Sequence, residues 1–529
     1  MAQKESPLTR YLPFLIMFIA LSVRLLPGAR TIDDSYITYR YARNILAGDG
    51  FVYNPGERVL GTTTPLYTLI LTVLGAITGG VKAPFPILAL IFNALIGATT
   101  TLLLWKIGKR MGSTFTAAST ALLWAIAPFS VTFAIGGLET SLYVFLLTAT
   151  VAFYLSDRFT LTALFATFSF LTRPDALILL GPVAVDRLYQ ASKRQPEDKR
   201  KKISFAELAA ALIPAIIWFG FATFYFGSPI PHSVLAKSLA YRIPNTAALV
   251  RMLQHYATPF LGQKTFGIPW IGVGLILYPF LTLIGIRSAI KKELHIWPWA
   301  FYPWLYFATF TIANPFIFLW YMTPPLPAYF FFIFLGLEQV GSKLLHRIKG
   351  KQKNAFCKSH FRRGLPILGI LFPLLLTLQG WTLQPDHGLN RPAPDMAWIK
   401  IELLYQEAAK QLNEHLESHP PPSTPVLAAG DVGVLGYFTE THILDTVGLN
   451  SPETLDYYPL DESCYAINYA IPPELIQDQQ PDYLVILEVY GRKGLLIDTP
   501  FKDTYRLLSK LPTDIYGSEG MLIFESTMP

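Results

Sequence analysis

The chain has 529 residues, of which 52% are hydrophobic and only 15% are charged. A soluble globular protein carries about 25% charged residues, so this composition excludes an ordinary soluble protein. The net charge of +7 does not indicate a nucleic-acid partner, because the charge is divided unevenly along the chain. From Asp386 onwards there are 22 acidic and 8 basic residues, whereas residues 1–381 hold 14 acidic and 35 basic ones.

Apolar runs long enough to cross a bilayer recur through residues 1–381. Lys and Arg gather in short loops, as the positive-inside rule describes for the cytoplasmic side. These basic positions are Lys4, Arg10, 106–110, 193–202, 287–292 and 343–363. We therefore expect a plasma-membrane protein of about eleven spans, with its amino terminus cytoplasmic and its carboxyl terminus outside. The spans are expected near 11–28, 84–107, 115–135, 140–156, 159–173, 176–190, 205–226, 267–287, 297–318, 320–341 and 364–381.

Two large loops are expected on the outer face, at 29–83 and 227–266. The apolar run at 64–78 is shorter than a span, and a crossing there would turn the basic cluster at 106–110 outward. We expect a juxtamembrane helix there. The first run, 11–28, lacks a small-residue cleavage site, so we expect a retained span. The two cysteines are expected on opposite sides of the membrane, which predicts neither a disulfide nor a cysteine metal site.

The composition changes after residue 381. A proline-rich linker is followed by a predicted amphipathic helix at 398–417, where apolar residues recur at helical spacing. The segments "PVLAAGDVGVLGYF" (425–438) and "PDYLVILEVY" (481–490) are typical of buried strands. We expect residues 1–381 to form a membrane domain and residues 382–529 a small extracytoplasmic α/β domain.

Asp33 and Asp34 are adjacent carboxylates directly after the first expected span. A helix at 33–47 would place Asp33, Tyr36 and Arg40 on one face, where Arg40 would balance the acid, with Arg43 on an adjoining face. A carboxylate beside an apolar wall and a second acid has a raised pKa, which suits a general base. A simply hydrated polar loop is the alternative interpretation.

A resemblance follows from several motifs and their order. They are Asp33-Asp34, "RYARNILAGDGFVYNPGE" (40–57), "GTTTPLY" (61–67), "GGLETSLY" (136–143), "LTRPDAL" (171–177), "FGSPIPHSVLAK" (226–237), "WYMTPPLP" (320–327) and "AAGDVGVLGYF" (428–438) with "ILDTVGL" (443–449). Together they resemble the GT-C fold glycosyltransferases. The arabinofuranosyltransferases of mycobacterial cell-wall polymers are the most similar; the lipid A aminoarabinose transferase and the protein mannosyltransferases resemble the chain more distantly.

The resemblance implies an enzyme that moves a sugar from a polyprenyl-phosphate donor to a glycan or lipid acceptor on the outer face, with inversion. It implies a catalytic role for Asp33 and Asp34, and we favour Asp33 as the base, with Asp34 tuning it or holding the acceptor. The donor phosphate is expected on Lys237, Arg173 and Arg40. Substrate contacts are expected from Tyr36, Arg43, Glu139, His232, Trp320 and Tyr321.

Structural interpretations of these residues stay open. Lys237 would be a snorkelling interface lysine, and Arg173 would form a salt bridge with Asp175. Glu139 would be a helix N-terminal acid, His232 a loop histidine without a role, and Trp320 and Tyr321 part of an aromatic belt. No cofactor is predicted, although two acids could also hold a divalent ion. A transporter or flippase of lipid-linked glycans is the alternative function, but such proteins bind near the bilayer midplane.

Overall fold

The computed structural model describes residues 7–193, 202–349, 355–397 and 399–528. Some residues of the sequence predictions lie outside this described part. They are Lys4, Arg194, the basic residues at 199–201, Lys351, Lys353 and Trp398.

Helices dominate the chain as far as residue 378. They are α1 (Pro7–Leu25), α2 (Asp33–Ala47), α3 (Pro65–Thr78), α4 (Phe85–Arg110), α5 (Thr114–Ile126), α6 (Pro128–Ile135), α7 (Thr140–Tyr154), α8 (Phe159–Thr172), α9 (Leu177–Ser192), α10 (Phe205–Phe226), α11 (His232–Ala240), α12 (Ala247–Ala257), α13 (Gln263–Phe266), α14 (Pro269–Lys292), α15 (Trp297–Ala313), α16 (Leu326–Lys349) and α17 (Ala355–Leu378).

The rest of the described chain mixes strands and short helices. Its helices are α18 (Lys400–Ser418), α19 (Gly433–Phe438), α20 (Pro473–Gln479), α21 (Glu488–Gly491) and α22 (Thr499–Thr504). Its strands are β1 (Trp381–Thr382), β2 (Ala393–Pro394), β3 (Val426–Ala429), β4 (His442–Asp445), β5 (Tyr483–Leu487), β6 (Tyr505–Leu511) and β7 (Met521–Ser526).

Each expected span overlaps a helix of the structure. By length and composition, three helices in the described part of the chain could cross a membrane, namely α4, α10 and α14. Helices α5 and α6, bent by 43° at Pro128, make a fourth if they form one broken span. A helical membrane protein is therefore confirmed, whereas the number of eleven spans and the orientation of the termini stay predictions.

The boundaries around residue 318 differ from those expected. Helix α15 ends at Ala313, because Asn314 adopts a left-handed conformation with φ of 42° and Pro315 follows it. Residues 319–322 form a separate 3₁₀ turn, and α16 begins only at Leu326, after Pro324 and Pro325. Trp320 and Tyr321 therefore lie in a connecting segment instead of a transmembrane helix.

Helices α14 and α16 pack with their backbones almost in contact. A Cβ on Gly285 would lie 2.0 Å from the Phe332 carbonyl oxygen, and one on Gly336 would lie 1.9 Å from that of Leu281. Glycine is required at both positions because any side chain would force the helices apart.

A five-stranded sheet in the order β4-β3-β5-β7-β6 lies after residue 400. Strand β3 is parallel to β4 and β5, whereas β7 is antiparallel to both β5 and β6. Strand β5 is buried along its whole length, which suits a central strand with both faces covered. One hydrophobic cluster contains residues of this sheet together with residues of α2 and α3. The division into two domains stays a prediction.

The strand predicted for 425–438 is only partly correct. Strand β3 ends at Ala429, and Gly433–Phe438 form the short helix α19. A short apolar run does not distinguish a buried strand from a buried helix. Strand β5 likewise covers only residues 483–487 of its predicted segment. The helix predicted at 33–47 and the juxtamembrane helix predicted at 64–78 are both present, as α2 and α3.

Candidate active site

Helix α2 places the acidic pair at the start of its first turn, shortly after α1. The helix begins at Asp33, and both acids lie in its first turn, where the helix dipole favours negative charge. It ends at Gly48, which adopts the left-handed conformation (φ 92°) that closes helices. Most of the helix is buried, because its tyrosines pack into the cluster shared with the sheet.

A cavity of about 230 Å³ opens beside Asp34. Its walls come from α2, from the segment before α3, from the turn after α8 and from α11. The lining includes Asp34, Thr62, Thr63, Thr64, Glu139, Arg173, Asp175, Lys237, Phe310, Trp320 and Tyr321. Five of the predicted site residues other than Asp34 therefore meet here.

Asp34 is the least restrained carboxylate of this cavity. Its Oδ2 lies 3.9 Å from Lys237 Nζ, a distance longer than a hydrogen bond, and its side chain is 34% exposed. Lys237 is 26% exposed, and its Nζ also lies 4.7 Å from the centre of the Phe318 ring. Asp34 and Lys237 thus form a long ion pair in the cavity, with no direct hydrogen bond between them.

Arg173 is held by two other carboxylates of the cavity. Its Nε donates to Asp175 Oδ1 at 2.9 Å, and its Nη1 donates to Glu139 Oε1 at 3.1 Å. The guanidinium is only 8% exposed and lies 4.5 Å from the centre of the Tyr321 ring. The salt bridge with Asp175 is therefore present, which favours a structural role for Arg173 and Glu139 over a phosphate ligand and a substrate contact.

Asp33, which the sequence favoured as the base, does not line the cavity. Its Oδ2 accepts from the Gly433 amide at 2.9 Å and its Oδ1 from the Val434 amide at 2.7 Å. A Cβ on Gly433 would lie 1.8 Å from the Asp33 carbonyl oxygen, so α2 and α19 are in direct contact. Burial, and next the Asp431 carboxylate, raise the pKa of Asp33 well above its usual range, although both amides oppose this.

Arg40 is also directed away from the cavity. Its guanidinium donates to the carbonyl oxygens of Tyr53 (2.8 Å), Gly436 (2.6 Å) and Thr441 (3.0 Å), and to Asn54 Oδ1 (3.2 Å). Arg40 therefore does not pair with Asp33 as expected, and it does not face the cavity where a phosphate contact was expected. Its hydrogen bonds instead form a buried contact between α2 and the segment around α19. With its donors already engaged, Arg40 has little left to offer a phosphate.

Arg43 and Tyr36 belong to the same buried contact between α2 and the segment around α19. Arg43 Nη1 donates to the Tyr437 carbonyl oxygen at 2.8 Å. Tyr36 is buried, and its ring centre lies 5.1 Å from that of Tyr437 and 5.4 Å from that of Phe438. Neither residue lines the cavity beside Asp34, so their predicted contacts with a substrate stay predictions.

His232 lies at the start of α11, outside the cavity lining. Its amide donates to the Leu60 carbonyl oxygen at 2.8 Å, which links the start of α11 to the segment before α3. Burial lowers the pKa of its imidazole, so the ring is less readily charged than an exposed histidine.

Sequence reasoning missed several residues of this region. Thr62, Thr63 and Thr64 line the cavity, and only the motif "GTTTPLY" pointed to them. Glu402 and Asp431, which lie beside Asp33, were not selected. Asp431 follows the carboxyl end of β3, and ligands of open α/β sheets bind at that end of the strands. The position of Asp431 after a predicted strand was therefore the signal by which the sequence could have identified it.

Comparisons with known proteins agree with this architecture. A family described as a domain of unknown function (DUF8728) matches residues 397–524. A terminal β-(1→2)-arabinofuranosyltransferase of Mycobacterium tuberculosis is 34% identical over 115 residues, which is 21% of this chain and 18% of that protein. The chain thus matches less than a fifth of the length of this curated relative.

Solved structures match nearly the whole chain. The apo oligosaccharyltransferase of Archaeoglobus fulgidus has a TM-score of 0.57 at 12% identity, covering 98% of this chain and 75% of its own. Apo ArnT from Cupriavidus metallidurans has a TM-score of 0.55 at 14% identity, covering 98% and 97%. ArnT solved with undecaprenyl phosphate has a TM-score of 0.52 at 15% identity, with the same coverage. The chain therefore has the fold of the GT-C membrane glycosyltransferases, as the resemblance of its sequence predicted.

Proposed function

We propose that the chain is a membrane glycosyltransferase that moves a sugar from a polyprenyl-phosphate donor to a cell-envelope acceptor on the outer side of the membrane. The observation that carries this proposal is the cavity in which the partly exposed carboxylate of Asp34 lies 3.9 Å from the ammonium of Lys237. The GT-C fold and the segment similar to a mycobacterial arabinofuranosyltransferase support glycosyl transfer. ArnT bound to undecaprenyl phosphate supports a lipid-linked donor.

The base in this proposal is Asp34 instead of Asp33. Asp34 removes the proton of the acceptor hydroxyl while that oxygen attacks the anomeric carbon of the donor sugar. The bond between the anomeric carbon and the phosphate oxygen breaks on the opposite face, so the configuration inverts. The proton ends on Asp34, and polyprenyl phosphate leaves as an anion.

Lys237 stabilises the charge that develops on the leaving phosphate. An ammonium placed in advance in a partly buried cavity interacts with this charge more strongly than bulk water would. Arg173, fixed by Glu139 and Asp175, supports the wall that carries Tyr321. Trp320 and Tyr321 offer ring surface to the sugar or to the first isoprene unit.

A strain from which the gene is deleted provides the test of this function. We expect mass spectrometry of its envelope glycans to show the loss of one type of sugar residue. Wild-type protein restores that residue and Asp34→Asn does not, although the variant reaches the membrane in equal amount. Asp49→Asn, an exposed acid of the same loop, is the matched control and restores it fully. An unchanged glycan profile in the deletion strain would exclude this function.

A further inference from the structure

A second cavity, of about 440 Å³, is lined by Trp320 and by residues of the segment after residue 381. Trp320 lines both cavities, and Ile32 lines the second one just before the acids of α2. The opposite wall comes from α18 and from the carboxyl end of β3. The mechanism described above uses none of the polar groups of this wall.

Glu402, beside this cavity, carries a buried oxygen without a hydrogen-bond partner in the described part of the chain. The residue lines the cavity and is only 5% exposed. Its Oε1 accepts from the Asp33 amide at 3.3 Å, whereas its buried Oε2 has no hydrogen-bond partner among the described residues. A buried oxygen without a partner costs free energy, and a ligand hydroxyl would remove this cost.

Asp431 is the second acid of this wall. Its Oδ2 accepts from the hydroxyls of Tyr405 at 2.7 Å and of Tyr490 at 3.2 Å. These tyrosines fix the carboxyl in place at the carboxyl end of β3, the usual ligand-binding edge of a parallel sheet. Burial raises the pKa of Asp431, and burial raises the pKa of Glu402 to about 8.

Aromatic rings form much of the remaining lining. Tyr241 stacks on Phe316 with ring centres 4.8 Å apart, and Phe318 stacks on Trp320 at 4.6 Å. Tyr469 meets Tyr490 edge to face at 5.0 Å. A few fixed polar groups among aromatic surfaces are typical of a site for a small, partly apolar and partly hydroxylated molecule.

We propose that this cavity is a subsite for an uncharged sugar of the acceptor glycan, next to the residue that receives the new sugar. This inference rests on the proposed glycosyltransferase function. Sugar hydroxyls donate to Glu402 and Asp431, and the C–H faces of the ring lie on the aromatic side chains. The shared Trp320 then places the adjoining acceptor residue at the first cavity, within reach of Asp34.

The charges of the cavity favour an uncharged ligand. Two acids, Glu402 and Asp431, and two cations, Arg30 and Arg251, line the cavity. Arg30 already donates to the carbonyl oxygens of His387, Leu389 and Ala397, and the charge of Arg251 is offset by the two acids, so the lining offers an anion little net attraction. In the part of the chain that the structure describes, no group of three or more His, Cys, Asp or Glu side chains could hold a metal ion. A neutral sugar fits both the protonatable acids and the rings.

Binding of neutral disaccharides tests the proposal without depending on turnover. The probes are methyl glycosides of arabinofuranosyl and mannosyl disaccharides, measured by saturation-transfer NMR with the full chain in detergent. Glu402→Met removes the unsatisfied oxygen and Met396→Trp fills the cavity. Each should weaken binding at least about tenfold, as expected when hydrogen bonds in a buried site are lost. Glu407→Met, on the exposed face of α18, should bind as the wild type does.

The outcomes separate the two proposals. Equal binding by the wild type and both cavity variants, or no binding of either disaccharide to the wild type, would overturn the subsite. Binding that persists in Asp34→Asn and is lost in Glu402→Met supports the subsite. If Asp34→Asn also transferred sugar normally, the proposed mechanism would fail while the subsite would stand.

Discussion

The contact between α2 and α19 leads to a prediction for Gly433→Ala. A methyl group there would lie 1.8 Å from the Asp33 carbonyl oxygen, whereas carbon and oxygen normally approach to about 3.3 Å. The two helices must therefore separate by about 1.5 Å. This breaks the hydrogen bonds from Gly433 and Val434 to Asp33, which together contribute about 2 kcal/mol. With about 1–3 kcal/mol of overpacking strain, the expected loss of stability is about 3–5 kcal/mol.

Activity should fall as well, because α2 carries Asp34. A displacement of about 1 Å in a catalytic group costs about 10²-fold in rate. The assays are thermal unfolding of the purified protein in detergent and single-turnover sugar transfer. Gly220→Ala is the control, since nothing lies within 4 Å of the added methyl group and alanine favours the helix. Wild-type stability and rate in Gly433→Ala would show that α19 does not hold α2 in place.

Three further predictions concern single side chains. The raised pKa of Glu402, about 8, means that its contribution to stability is complete below pH 4.5 and is lost as the pH rises through 8. Between pH 4.5 and 8, the melting temperature of Glu402→Gln should therefore fall less steeply than that of the wild type. An equally steep fall in both proteins would contradict the raised pKa of Glu402. Lys237→Met should slow sugar transfer by about 10- to 100-fold while disaccharide binding is unchanged. Lys82→Met, an exposed control, should change neither the transfer rate nor the binding. Arg40→Lys should lower the melting temperature by several degrees, because lysine cannot replace the four hydrogen bonds of the guanidinium. An unchanged melting temperature would show that these hydrogen bonds do not stabilise the contact between α2 and the segment around α19.

The acidic pair shows how far the sequence could lead. Helix α2 was predictable, because a helical segment ends in the glycine-rich turn at 48–50. The choice between Asp33 and Asp34 was not, since adjacent residues point about 100° apart on a helix. Which of them faces the cavity depends on the amides of Gly433 and Val434, some 400 positions away in the sequence.

The misplaced arginine has a similar cause. Helical spacing placed Arg40 on the face of α2 that carries Asp33, but its partners are mainly backbone carbonyl oxygens, which every residue carries and no sequence motif marks. Lys237 could be selected because cations are scarce in the loops that the sequence predicts on the outer face. Glu402 could not, since one acid in an amphipathic helix is usually exposed and only the packing of α18 buries it.

The central claim is that Asp34 is the base and that Asp33 holds the helix that carries it. Single-turnover transfer and melting temperature, measured side by side for Asp34→Asn and Asp33→Asn, test this most directly. We expect Asp34→Asn to slow transfer by about 10²–10⁴-fold at unchanged stability, the usual contribution of a general base. Asp33→Asn should lower the melting temperature and affect the rate far less. Wild-type turnover in Asp34→Asn, or an equal loss of rate in a fully stable Asp33→Asn, would contradict the account.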